Sequence, residues 1–228
     1  RHARFENKSA FVKFTHHKNE VSHNLSILHF DSPYAFDPGG LTLEEVSRNR
    51  SQGRERNIAY DAGESVRQSQ IAWQYKTSYH GGALETTLHF SPRVFSGKLP
   101  FESGGIVKLE RDFYGGMALY RTSAKNRLGQ GIVGLDFQSQ RDHRNRYANL
   151  TGLKGEQTMN QIERFSSASG FAIWSVPVGK SVFELGLRYD SNLVALDDRF
   201  ATSEQIYERQ FSRWSPHAGL LYRSSPTS

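Results

Sequence analysis

Apolar and polar residues alternate with period two over and over along this chain, and that pattern confines it to β-structure with two unlike faces. Ala10, Val12 and Phe14 interleave with Phe11, Lys13 and Thr15, and Val21, Leu25 and Ile27 with Ser22, Asn24 and Ser26. Ile71, Trp73, Tyr75 and Tyr79 alternate with Gln70, Gln74, Lys76 and Ser78, and Leu84, Thr86, Leu88 and Phe90 with Glu85, Thr87, His89 and Ser91. From Val107 to Leu119 the odd positions are mostly apolar, while Lys108, Glu110, Asp112 and Tyr120 hold the even ones. Val133, Leu135 and Phe137, then Phe183, Leu185, Leu187 and Tyr189, then Trp214, Ala218, Leu220 and Tyr222 continue the series. No comparable stretch keeps a helical period. With a weaker strand near Ser169 to Ser175, the reading is about nine strands of roughly ten residues, the length of a tilted membrane strand.

The connections carry a second pattern. Short ones (His17 to Glu20, His80 to Gly82, Asn126 to Gln130, Val176 to Ser181, and Ser224 to Ser228) alternate with long ones (Pro33 to Gly63, Ser96 to Gly104, Asp142 to Arg164, Ser191 to Gln210). Tight turns on one side and long polar loops on the other is the habit of outer-membrane barrels. A soluble β-sandwich shows the same alternation of faces, so alternation alone leaves the solvent open. Aromatic placement favours the membrane: Tyr75, Tyr79, Phe90, Trp174, Phe183, Tyr189, Trp214 and Tyr222 lie toward strand ends, where interfacial girdles sit.

Composition fits this reading. No apolar run approaches the roughly 18 residues of a spanning helix, which excludes a helical membrane protein. Mean hydropathy is -0.63, as expected where lipid-facing and lumen-facing residues alternate. The absence of Cys excludes a disulfide scaffold and a thiolate metal site. The net charge of +6 permits anionic partners, including nucleic acid, but the Arg residues gather in stretches read as loops. The chain opens at Arg1 inside a β-type pattern with no signal peptide, which predicts a segment of a longer protein.

Specific motifs add a resemblance. The segment Asp31-Ser-Pro-Tyr-Ala-Phe-Asp-Pro-Gly-Gly-Leu-Thr42, an Arg-rich stretch and Glu64-Ser-Val-Arg-Gln68 are followed, in order, by Arg111-Asp-Phe-Tyr-Gly-Gly116 and Gly134-Leu-Asp-Phe-Gln-Ser-Gln-Arg-Asp142. Asn145-Arg-Tyr147, Gly155-Glu-Gln-Thr158, Glu163-Arg164, Glu184-Leu-Gly-Leu-Arg-Tyr-Asp190 and Trp214-Ser-Pro-His-Ala-Gly-Leu-Leu-Tyr222 complete the series. Together they resemble the barrel of TonB-dependent receptors, closest to the subfamily that includes the pyrroloquinoline quinone receptor. The resemblance implies an all-β fold in which residues 1–228 form part of a plugged barrel of about 22 strands. It implies that plug, TonB-coupling box, signal peptide and closing C-terminal strand lie outside these residues. It also implies a monomer in the cell outer membrane, contacting its lipids and lipopolysaccharide, that takes up an anionic nutrient or ferric siderophore with energy delivered by TonB.

Other motifs have plainer explanations. Gly129-Gln-Gly131-Ile-Val-Gly134 spells a dinucleotide fingerprint, but it leads into a strand and not the helix that a pyrophosphate needs. His16 and His17 are adjacent on a strand and so point apart. Asn7, Asn24 and Asn149 head glycosylation triplets that are chance matches, and Glu44-Glu45 and Asp197-Asp198 read as solvated loop charge. No nucleophile elbow is present, so no catalytic residue, cofactor or metal ligand is assigned. The candidate ligand contacts are Arg48, Arg50 and Arg54 in the first long loop and Arg141, Arg144 and Arg146 at the start of the third, because guanidinium forks suit carboxylates and phosphates. The same residues could pair with lipopolysaccharide phosphates or with Glu44, Glu45 and Glu55. A soluble basic β domain that binds polyanions or nucleic acid, and a porin-like barrel without energy coupling, are the competing readings. The first calls for Lys and Arg among stacking aromatics on one sheet face.

Overall fold

The computed structural model describes residues 2–122, 129–201 and 205–224. They form one antiparallel sheet of nine strands in sequence order: β1 (Phe5–Lys18), β2 (Val21–Phe36), β3 (Gly63–Tyr79), β4 (Gly82–Lys98), β5 (Ile106–Arg121), β6 (Gln130–Leu150), β7 (Leu153–Val178), β8 (Ser181–Asp198) and β9 (Gln205–Tyr222). Every strand pairs only with its sequence neighbours, leaving β1 and β9 as edges. Two short helices, α1 (Leu43–Arg48) and α2 (Glu55–Ala59), lie in the loop between β2 and β3. No helix among the described residues is long and apolar enough to cross a membrane, which says nothing about strands.

The strands run 14 to 26 residues, longer than the ten that the alternation marks. Two of the long connections therefore shrink. The span Asp142 to Arg164 is not a loop: β6 continues to Leu150 and β7 starts at Leu153, joined by a two-residue turn. Both turn residues, Thr151 and Gly152, have positive φ (49° and 91°), the hairpin turn whose twist matches paired strands. The span Ser191 to Gln210 is likewise mostly strand, with β8 reaching Asp198. The weak strand near Ser169 to Ser175 is the middle of β7. The connections Asn126 to Gln130 and Ser224 to Ser228 fall largely outside the described residues.

The register sorts side chains onto two faces. On one, Leu88, Gly116, Phe137 and Ala168 form a continuous cross-strand row, as do Ile71, Phe90 and Tyr114. All eight aromatics expected near strand ends lie on this apolar face, but Phe90, Tyr189 and Trp214 sit at mid-strand because the strands run on past the alternating stretch. Tyr189 and Trp214, directly paired, pack with ring centroids 4.7 Å apart and their planes tilted by 44°. Along β4 this face carries Leu84, Thr86, Leu88, Phe90, Pro92 and Val94 without a charge. Ten residues at about 3.3 Å each, tilted about 40°, make a band roughly 25 Å tall, the thickness of a barrel's lipid belt.

Strand β5 reverses the expected phase. Its apolar odd residues, Val107, Leu109, Phe113 and Met117, share the face of Asp136, Gln140 and Asp142, and the apolar face receives Gly116 and Ala118 instead. The cause is the bulk of the neighbours: a Cβ on Gly116 would stand 2.5 Å from Leu88 Cδ2 and 2.9 Å from Phe137 Cε1. Large side chains on β4 and β6 thus need a small one between them.

Among the described residues only Ala62, Ile106, Ile162 and Ala195 are buried hydrophobics, whereas Leu135, Leu185 and Leu220 are 69%, 67% and 64% exposed. A soluble sandwich buries its apolar faces against a second layer. Toward the loops Ile106, Ile162 and Ala195 are covered, but elsewhere this single layer leaves the apolar face open, a patch that water does not tolerate and lipid requires.

Candidate functional site

The second face is polar and wired. One cross-strand row runs Gln68 (β3), Arg93 (β4), Arg111 (β5), Asp142 (β6) and Glu163 (β7). Asp142 is 1% exposed and accepts from Arg111 Nε at 2.7 Å and Nη2 at 2.6 Å, a bidentate fork that neutralises both groups. Gln140 Nε2 also donates to Asp142, at 3.1 Å. One residue pair further from the short turns, Arg144 reaches diagonally to Glu163 at 3.3 Å. Arg93 stands directly across from Arg111, yet its Nε is buried without an acceptor, and so is the Nε of Arg146. Four guanidinium groups therefore share two carboxylates, leaving Arg146 and Arg93, the latter 5.9 Å from the centroid of the Phe95 ring, without a carboxylate to compensate them. Gln68, Ser91, Arg93, Arg111, Phe113 and Gln140 line an open cavity of about 190 Å³ at this level. Such a cavity, with a buried donor aimed at nothing, suits an anionic group.

The loop side of the sheet is stapled by Asn149. This side chain, 0% exposed, donates to the carbonyls of Tyr60 and Leu99 at 3.0 Å each and accepts from Gly152 N–H at 2.7 Å. Its own N–H donates to Glu102 O at 2.8 Å. One amide thereby ties the 37–62 loop, the 99–105 loop and the β6–β7 turn together. Lys98 adds an ion pair to Asp61 at 2.5 Å. The 37–62 loop is ordered by its own chemistry too. Thr42 caps α1 and Glu45 returns the hydrogen bond to the Thr42 N–H, and that bond holds the Glu45 carboxyl below its ordinary value.

The six sequence-picked arginines separate into three places. Arg48, at the end of α1, is exposed and pairs with Glu44 at 2.8 Å. Arg50 and Arg54 are exposed in the same loop without a side-chain hydrogen bond or ion pair to a described residue, and the Arg54 charge helps hold the Glu45 carboxyl down. Arg144 and Arg146 lie on β6, not in a loop, and face the cavity side. Arg141 also lies on β6, and by parity it points to the opposite, apolar face, across from Asp112. Arg93 and Arg111 went unpicked. Their signal was one of phase: each is a charge in the middle of an alternating strand, on the face of Ser91 and Phe113.

A single antiparallel sheet with an open apolar face of membrane height and a polar face lined by charged rows defines the wall of a transmembrane β-barrel. The family description "TonB dependent receptor-like, beta-barrel" matches residues 9–228, and the chain belongs to that family. Solved structures agree on the fold. The ferric citrate transporter FecA in its unliganded form superposes with a TM-score of 0.82 at 16% identity, covering 98% of this chain and 34% of that one. The ferric yersiniabactin uptake receptor FyuA from Yersinia pestis gives 0.71 at 11%, over 96% and 35%. The alcaligin outer membrane receptor FauA from Bordetella pertussis gives 0.68 at 10%, over 96% and 33%. No curated protein sequence matches. The chain spans about a third of the length of these structures. Its location is accordingly the outer membrane, with the apolar face toward lipid and the polar face toward the lumen. The family consists of transport receptors and the chain is not an enzyme. The described residues contain barrel wall and no plug domain.

Proposed function

We propose that this wall belongs to a receptor that captures a scarce polycarboxylate nutrient in the upper lumen and passes it inward with energy from TonB. The observation that carries the reading is the pair of uncompensated lumen cations, Arg93 and Arg146, flanking the neutralised Arg111–Asp142 and Arg144–Glu163 pairs. Buried donors without acceptors are costly, and a multi-carboxylate ligand supplies the acceptors in the bidentate form that guanidinium prefers. Two ligands fit this chemistry: a ferric carboxylate chelate, as the likeness to the ferric citrate transporter favours, and a pyrroloquinoline-quinone-like cofactor, as the sequence motifs favour. Arg48, Arg50 and Arg54 on the external loop attract the anion before it reaches the lumen.

The test is titration of ferric citrate and of pyrroloquinoline quinone, separately, into the purified receptor that carries this chain, followed by tryptophan fluorescence. Arg93→Gln with Arg146→Gln weakens binding of the true ligand by at least about tenfold, two charged hydrogen-bond sets being lost. Lys108→Gln, on the lipid side, leaves it unchanged. Undiminished affinity in the double variant, or failure of the native receptor to bind either compound, overturns the reading.

A further inference from the structure

The lipid-facing side carries its own unbalanced charge. Arg141 on β6 and Arg164 on β7 are directly opposite each other in the register, both point outward and both are exposed. Neither has a hydrogen bond, ion pair or ring contact with any described residue. Asp112 faces Arg141 from β5 without forming an ion pair, and Ala195 faces Arg164 from β8. Glu110 and His143 lie in the next row toward the loops, and Glu208 on β9 is beyond Ala195. Like charges directly opposite on adjacent strands repel, so two bare guanidinium groups held side by side mark a place where an anion is missing.

What lies below the pair says which anion. Descending toward the short turns, the lipid face of β7 reads Ser166, Ala168, Gly170, Ala172 and then Trp174, a trough floored by small residues. Beside it the ridge Phe137, Leu135 and Val133 stands out from β6. On the far side of that ridge Leu88 and Phe137 close over Gly116, and with Ala118, Leu135 and Ala168 they bound a second furrow, an apolar hollow of about 410 Å³. Ala168 lies four positions after Arg164, about 13 Å along a strand. This is the geometry of a molecule with an anionic head and hydrocarbon tails lying parallel to the strands. Free phosphate has no use for the furrows, and an uncharged lipid has none for the arginines.

We infer that Arg141 and Arg164, with the furrows either side of the β6 ridge, form a lipid-side site for the phosphate headgroup of an acylated phospholipid or glycolipid of the outer leaflet. The inference rests on the apolar face meeting lipid. It is independent of which nutrient occupies the lumen.

The experiment is native mass spectrometry of the full receptor in detergent, with didecanoyl phosphatidic acid as probe and didecanoylglycerol and inorganic phosphate as comparators. No nutrient is present, so the outcome is separate from the lumen reading. The native receptor retains phosphatidic acid and neither comparator, and Arg141→Gln with Arg164→Gln lowers retention at least about tenfold. Ala168→Trp, which fills the furrow and leaves both arginines, lowers it as well. Equal retention by the arginine variant, or equal retention of inorganic phosphate (an adventitious ion only), overturns the site. A second readout needs no variant: a photoactivatable phosphatidic acid cross-links to residues 133–141 and 164–172, and cross-linking confined to other strands contradicts the proposal.

Discussion

At one height of the barrel wall two neighbouring rows cross the same strands and behave in opposite ways. In the lumen row Arg93, Arg111, Asp142 and Glu163 the buried Asp142 holds Arg111 by two charge-assisted bonds, and Glu163 pairs with Arg144 one level up. The lipid-side row Pro92, Asp112, Arg141, Arg164 and Ala195, one residue away on each strand, contains similar side chains and no ion pair among them. Composition cannot distinguish the two rows. Strand parity does, because each step along β-structure turns the side chain to the other face and so to a different solvent.

The strongest way to break this contrast is to make the same change in both rows. Asp142→Ala removes the acceptor of two guanidinium bonds and leaves Arg111 beside the already bare Arg93, so it is expected to lower stability by about 2 to 3 kcal/mol. Asp112→Ala, in the row without ion pairs, is expected to cost under about 0.5 kcal/mol. Denaturant midpoints of the two variants in the whole receptor measure both, and equal costs would erase the distinction between the faces.

The cap above the rows sharpens the contrast further. Asn149→Ala leaves the Tyr60 and Leu99 carbonyls and the Gly152 N–H unpaired, a local loss of about 2 kcal/mol. Hydrogen exchange should therefore accelerate in residues 99–105 and 151–152 while the lumen row keeps its protection. Thr42→Ala removes one half of the α1 capping box and is expected to cost about 1 kcal/mol, read as greater mobility of a spin label at Leu43→Cys. The same label reports acid sensitivity. The Glu45 carboxyl is depressed below its ordinary 4.5 by the Thr42 N–H, so its stabilisation is complete above that value and lost as pH falls through the depressed one. Mobility at residue 43 should rise in that acidic window and show no change between pH 6 and pH 8.

Much of the wall was legible from sequence because lipid imposes period two: where one face meets hydrocarbon and the other water, every residue is sorted. Beyond the lipid band that pressure ends. From Asp142 to Arg164 both faces meet polar surroundings, the alternation vanishes, and the stretch reads as a loop although backbone pairing continues to Leu150. Treating it as a loop also hid the parity that sets Arg141 against Arg144 and Arg146. Arg93 and Arg111 were missed for a related reason, since a single charge inside an alternating strand shows its meaning only when its cross-strand neighbours are known. Asn149, noticed only as a glycosylation triplet, is instead the residue whose amide the fold consumes in three segments.

The claim beneath all of this is that the apolar face meets lipid and the polar face meets the lumen. The chain has no native cysteine to confuse site-directed labels. Spin labels at Leu135→Cys and Gln138→Cys, in receptor reconstituted into bilayers, test it through collisions with oxygen and with a water-soluble nickel complex. The account predicts that the label at 135 meets oxygen and is shielded from nickel, and that the label at 138 shows the reverse. A label at 135 fully open to nickel would contradict it.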